Sequence, residues 1–201
     1  MEKHGGQIFE GPAEILVCIV DDHYGVPEGM GEEEEYDWFK NQLEVDFSQS
    51  FEEVDVAPGY SLPAFATFIQ NVSEYWPVLV ATFFLAKPVS ENMEVWLKAA
   101  KGIRHYFSRA EVVLGRNAAA ALVVEAICEN LDGMPRTIEC HHYQWRDRRF
   151  VELSMGSDDE AIQEGPRTEY LSMAIHKFKI RADGVEFEAD VDGKSVQLRR
   201  I

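Results

Sequence analysis

Between Tyr60 and Ala86 the chain carries a single carboxylate, Glu74, and no basic residue. A stretch of this polarity must be removed from water, in a bilayer or in a protein core, so it dictates what the rest of the chain has to cover. A bilayer span needs about 20 predominantly apolar residues. Here Pro63, Gln70, Asn71, Ser73, Glu74 and Pro77 interrupt the run. Its flanks also lack the Lys/Arg excess of a cytoplasmic membrane loop. The run is therefore read as core, with no membrane partner.

Leu62, Phe65, Ile69, Val72 and Trp76 fall on one helical face, which predicts a helix capped by Ser61. Pro77 forces a kink or restart, and Val78–Ala86, apolar on nearly every side, is expected to be buried on nearly every side. Ser90 opens another helix, with Met93, Trp96, Leu97, Ala100, Ile103 and Phe107 as its inner stripe. A short apolar strand, Glu111–Leu114, leads through Gly115 to an alanine-rich helix, Ala118–Leu131. Asn117 is its expected N-cap, and Gly133 lies just past its end.

Upstream, Ala13–Val20 reads as a strand buried on both faces. Asp21–Gly31 is a Gly/Pro-rich loop, Glu32–Phe47 a helix with Tyr36, Phe39 and Leu43 inward, and Phe51–Ala57 a second strand. Strands alternating with helices over residues 1–134 (β-α-β-α-α-β-α) indicate an α/β layer with some parallel pairing.

From 135 to 201 the pattern becomes β-rich. Thr137–Trp145 is a strand that Phe150–Met155 extends or pairs with, and Gly156–Arg167 is a polar loop. Glu169–Ala182, Val185–Val191 and Ser195–Arg200 form an antiparallel meander turning at Asp183-Gly184 and Asp192-Gly193. Lys177, Lys179 and Arg181 are set against Glu186, Glu188 and Asp190 on its wet face. The fold class expected is mixed α/β, one domain over 1–201: a sheet with flanking helices continuing into a C-terminal antiparallel β-meander.

An apolar content of 46% supplies a core without a disulfide or metal staple. Cys18, Cys128 and Cys140 fit no disulfide framework and no CxxC spacing, and the N-terminus shows no signal-peptide pattern, so a soluble cytoplasmic protein is expected. Net charge is −17; residues 1–60 hold 16 acids and 2 bases, a net −14. That field repels phosphate backbones, which argues against nucleic acid, and attracts a basic protein.

Four clusters could carry function. Asp21-Asp22-His23 follows the first strand, where ligands bind in open α/β sheets. Arg116 and Asn117 stand at a strand–turn–helix junction suited to an anion. Glu139-Cys140-His141-His142 lies on a strand whose alternation sends Glu139, His141 and Tyr143 to one face and Cys140 and His142 to the other, so the four cannot converge on one metal unless a partner strand contributes. Trp145, Arg146, Arg148 and Arg149 make the one basic cluster, a partner-binding candidate alongside the acidic run Glu32, Glu33, Glu34 and Glu35. No catalytic motif is present, and no cofactor or metal is expected. The expected function is a non-catalytic acidic interaction protein, an adaptor or toxin-neutralising type, that binds a basic protein. The alternative is an α/β enzyme or small-ligand or metal-binding protein using Asp21, Asp22 and His23.

Overall fold

Six consecutive apolar residues, Ile15–Val20 (β1), are all buried, and their alternation places them in two cores. In the computed structural model, Ile15, Val17 and Ile19 belong to the main core, while Leu16, Cys18 and Val20 pack on the opposite face with Val54, Ala64, Ala66 and Val113. The structure describes residues 11, 13–20, 29–54, 64–70, 72–90, 92–107, 111–147 and 174–201, with backbone alone at 32, 33, 111 and 147. A strand buried on both faces has to be interior, and β1 lies between β3 (Ala64–Ile69) and β4 (Glu111–Leu114). The outer neighbour of β3 is β2 (Glu52–Glu53); of the expected strand Phe51–Ala57, residues 55–57 lie outside the described residues.

Every strand pair in this first sheet is antiparallel. The parallel pairing expected from the alternation of strands and helices is thus not formed among the described residues. Antiparallel neighbours need no crossover helix, so α1 (Glu32–Phe47) is free to pack as a cover with Phe39, Leu43 and Phe47 inward. The predicted helix from Ser61 to Trp76 is also replaced: Ala64–Ile69 is β3. Phe65 and Ile69 fit a helical i, i+4 spacing, but they fit a period of two equally well. The aromatic and β-branched residues Phe65, Thr67, Phe68 and Ile69 favour the pleated alternative. Phe65 and Ile69 accordingly meet the main core, and Ala64, Ala66 and Phe68 the second one.

The helix after Pro77 is α2 (Trp76–Phe84), with the proline in its first turn. It buries Trp76, Leu79, Val80 and Phe83, but Val78 (66%) and, just beyond its ends, Tyr75 (52%) and Leu85 (64%) are exposed, so the expectation of burial all round fails. Next comes α3 (Met93–Tyr106), where Trp96 meets Trp76 edge-on at 4.8 Å and Phe83 at 5.1 Å. Among the described residues no helix is long and apolar enough to cross a membrane.

The helix most deeply placed is α4 (Arg116–Asn130). Every residue from Asn117 to Val124 is buried, as are Ile127 and Cys128. Alanines 118–121 keep it thin enough to lie against α3, β1 and the second sheet at once. The helix starts two residues earlier than expected, with Gly115 as N-cap. Asn117 instead donates from Nδ2 to the Glu14 carbonyl at 2.7 Å, fastening the entry to β1.

The second sheet is β5 (Ile138–Asp147), β6 (Ala174–Ala182), β7 (Val185–Asp192) and β8 (Ser195–Arg200), in that order and antiparallel throughout. Its register sets Lys177 opposite Asp190, Lys179 opposite Glu188 and Arg181 opposite Glu186, the pairing expected from the charge alternation. Asp183 (φ 48°) and Gly184 (φ 80°) both take left-handed conformations, as a two-residue primed turn demands. The Asp183 carboxylate accepts the backbone N–H groups of Arg136 and Thr137 at 3.0 and 2.9 Å, pinning the start of β5 to this turn and holding its pKa below the usual carboxylate range. Phe178, Ile180, Phe187, Ala189 and Val191 close the main core. The expected segments Phe150–Met155, Gly156–Arg167 and 169–173 lie outside the described residues.

Because alanines 118–121 face neighbours on all sides, Ala120→Leu should destabilise the fold by about 1–3 kcal/mol through overpacking. Ala81→Leu, on the exposed side of α2, should stay within about 0.5 kcal/mol. Urea unfolding midpoints of the two variants make the comparison.

Candidate functional site

A polar residue at an inward position of a sheet needs partners, and β6 places one there. Alternation along Ala174, His176, Phe178, Ile180 and Ala182 sends His176 into the core, where it is 2% exposed. Nε2 lies 3.0 Å from the Leu114 carbonyl oxygen at the end of β4, and Nδ1 lies 2.9 Å from the Tyr143 hydroxyl on β5. A carbonyl can only accept, so Nε2 carries the proton and Nδ1 accepts from Tyr143. The imidazole is thereby assigned as the neutral Nε2–H tautomer, joining the edge of the first sheet to the inner face of the second.

Tyr143 reaches His176 because β5 is not regular. The register slips between Cys140 and His142, leaving His141 as an extra residue. A bulge of this kind re-aims the side chains that follow it. Simple alternation would put Cys140 and Tyr143 on opposite faces. The bulge brings Cys140, paired with Ile180, and Tyr143, paired with Phe178, to the same inner face. His141 instead turns outward and pairs with Glu139 at 3.1 Å.

Arg116 completes the cluster from the first turn of α4. Its guanidinium carbon stands 4.4 Å from the Phe84 ring centroid, and Phe84 meets Tyr143 edge-on at 5.6 Å. Burial pushes the His176 pKa down to about 4; the Leu114 bond opposes this and the Arg116 charge adds to it. Burial pushes the Cys140 thiol up to about 12, with the His142 carbonyl contact at 3.3 Å and Arg116 acting the other way. At neutral pH the ring is therefore uncharged and the thiol protonated. The cluster can organise hydrogen bonds and shield a cation with aromatic faces, but in this state it offers neither a thiolate nor a proton-exchanging base to solvent.

The other sequence candidates fall elsewhere. Arg116 and Asn117 adjoin the start of β1, since the Gly115 N–H donates to the Leu16 carbonyl at 3.1 Å. Asp21, Asp22 and His23 follow the opposite end of β1 and lie outside the described residues. The rule that motivated them concerns parallel strands, and β1 has antiparallel neighbours on both sides. Trp145 stands opposite His176 in register and Arg146 opposite Ile175, so the expected Trp/Arg cluster is divided between the two faces of β5. Arg148 and Arg149 lie outside the described residues, as do the side chains of Glu32 and Glu33; Glu34 is exposed and Glu35 half-buried on α1. Among the described residues no group of three His, Cys, Asp or Glu could hold a metal ion.

Sequence reasoning misses His176, although one further step back along the alternation from Phe178 would find it. No protein-family model matches the chain, and no curated protein or solved structure is detectably similar to it.

Tyr143→Phe removes the donor to Nδ1 while keeping the ring. It should cost about 1–3 kcal/mol, the penalty of a buried acceptor left unpaired. Tyr75→Phe, at an exposed position, should be near neutral. Urea denaturation of both at neutral pH measures the difference.

Proposed function

We propose that this chain is a non-catalytic, cytoplasmic interaction protein of the adaptor or toxin-neutralising type, which presents the outer face of α1 to a basic protein. The observation that carries the reading is a contrast in charge balance. On the second sheet the carboxylates are matched across strands: Lys177 with Asp190 at 3.5 Å, Lys179 with Glu188 at 3.8 Å, Arg181 with Glu186 at 2.6 Å and with Glu139 at 3.2 Å, and Arg199 with Glu188 at 3.1 Å. On α1 seven carboxylates share the helix with one base, Lys40, which sits 3.9 Å from Glu44.

The helix has this composition because its two sides have different tasks. Phe39, Leu43 and Phe47 are buried, which turns Glu34 and Asp37 to solvent. Three of the four opening glutamates lie within the first turn, where they complement the positive end of the helix dipole. Beyond that turn, Asp37, Glu44 and Asp46 gain nothing from the N-terminal dipole. Glu52 and Glu53, both exposed on β2, extend the negative surface past the end of the helix. A one-signed surface of this kind accelerates encounter with a cationic partner and disfavours nucleic acid.

Association through this face should be steered electrostatically. The on-rate should fall as salt shortens the Debye length below its value of roughly 10 Å at 0.1 M. Glu34→Lys with Asp37→Lys should slow capture of basic proteins from native extract several-fold while shifting stability by less than about 1 kcal/mol. Capture indifferent to both salt and charge reversal would reduce the acidity to a solubility device and remove this reading.

A further inference from the structure

We propose that the contact between β4 and the second sheet is an acid-sensitive latch, closed by neutral His176 and opened when that ring takes up a proton. β4 is an outer strand of its sheet, paired only with β1 among the described residues. Val112 and Leu114, two residues apart, turn their backbone carbonyls to the same side of the strand. Both carbonyls meet the second sheet. Leu114 accepts from His176, and Val112 faces the β7–β8 turn at Gly193, where a Cβ would lie 3.2 Å from the oxygen and φ is +54°. Among the described residues the edge is thus met by one side chain and one glycine turn rather than by a neighbouring strand, and an open edge is a template for pairing with another chain.

The latch depends on the ring being uncharged. Protonation makes Nδ1 a donor, so the Tyr143 hydroxyl must reverse and accept. The resulting cation then faces the Tyr143 phenol and Trp145 from β5 and the Arg116 guanidinium from α4, while its neighbours Leu114 on β4 and Val191 on β7 are apolar. None of these described groups supplies a negative charge. The sign follows: a ring held at a pKa of about 4 against an ordinary 6.5 stabilises the closed seam fully above pH 6.5, and that stability is lost as pH falls toward 4.

The three free cysteines report where the structure opens, because Cys140 lies on the inner face of the second sheet whereas Cys18 lies in the second core on the far face of the first. Labelling with dithiodipyridine, which reacts in acid, is normalised to a small thiol and read per cysteine by peptide mapping. Uptake of one proton per opening predicts that Cys140 labelling in the wild type accelerates about tenfold per pH unit below pH 6.5, while Cys18 stays protected. In His176→Gln, which can still donate to Leu114 but does not titrate, the acceleration should vanish. Labelling of Cys140 that is independent of pH, parallel acceleration of Cys18, or an unchanged slope in His176→Gln would each overturn the proposal. Should that variant fail to fold, the NMR titration of His176 in the wild type decides: a midpoint well below 6.5 supports the latch and an ordinary midpoint refutes it.

Discussion

A helix segment with no wet side has to be walled in by everything else, and Asn117–Val124 of α4 imposes that condition on this fold. Asn117 through Val124 are buried without a break, so the helix cannot be amphipathic in the usual sense and no single partner can cover it. The first sheet, α3 and the meander each supply one wall. The four consecutive alanines let those walls approach a narrow helix closely, and dispersion attraction from every side replaces what large side chains would have contributed. The deep placement also explains why the first residues of α4 act as fasteners: Asn117 holds the lead-in to β1, and Arg116 lies over Phe84.

Much of this was legible in the chain where local pattern and environment agree. Glu32–Phe47 shows its inner face by spacing, and the meander shows its register through opposite charges that can pair in only one alignment. Reading failed where two periods coexist. Phe65 and Ile69 satisfy both a helix and a strand, and only the strands on either side decide between them. It failed again at β5, because the bulge at His141 carries no glycine or proline to announce it, yet it reverses the face of every residue that follows. The antiparallel order of the first sheet was illegible for a different reason: alternation of elements constrains connection lengths, not strand direction.

The same distinction applies to the polar groups. Acidity is visible in composition, but whether a carboxylate is matched depends on the cross-strand neighbour, which only the fold supplies. Glu186, Glu188 and Asp190 resemble the acids of α1 in sequence, and only the fold shows that each has a cation opposite it in register. His176 makes the converse point. A lone histidine in a strand says little until the distant carbonyl of Leu114 and the bulge-directed hydroxyl of Tyr143 arrive on either side of its ring.

The pairing of Asp147 with Ala174 has a consequence for how such a chain can change over time. The 26 residues between them depart from and return to adjacent points on the same sheet, so the register of β5 with β6 is set by the paired strands and not by that number. Closing a loop costs free energy only logarithmically in its length, about 0.6 kcal/mol for each doubling. Insertions, deletions or whole grafted modules can therefore accumulate at this one position while α4 and its walls remain as they are, which makes the junction a port through which descendants of this chain could acquire new binding partners.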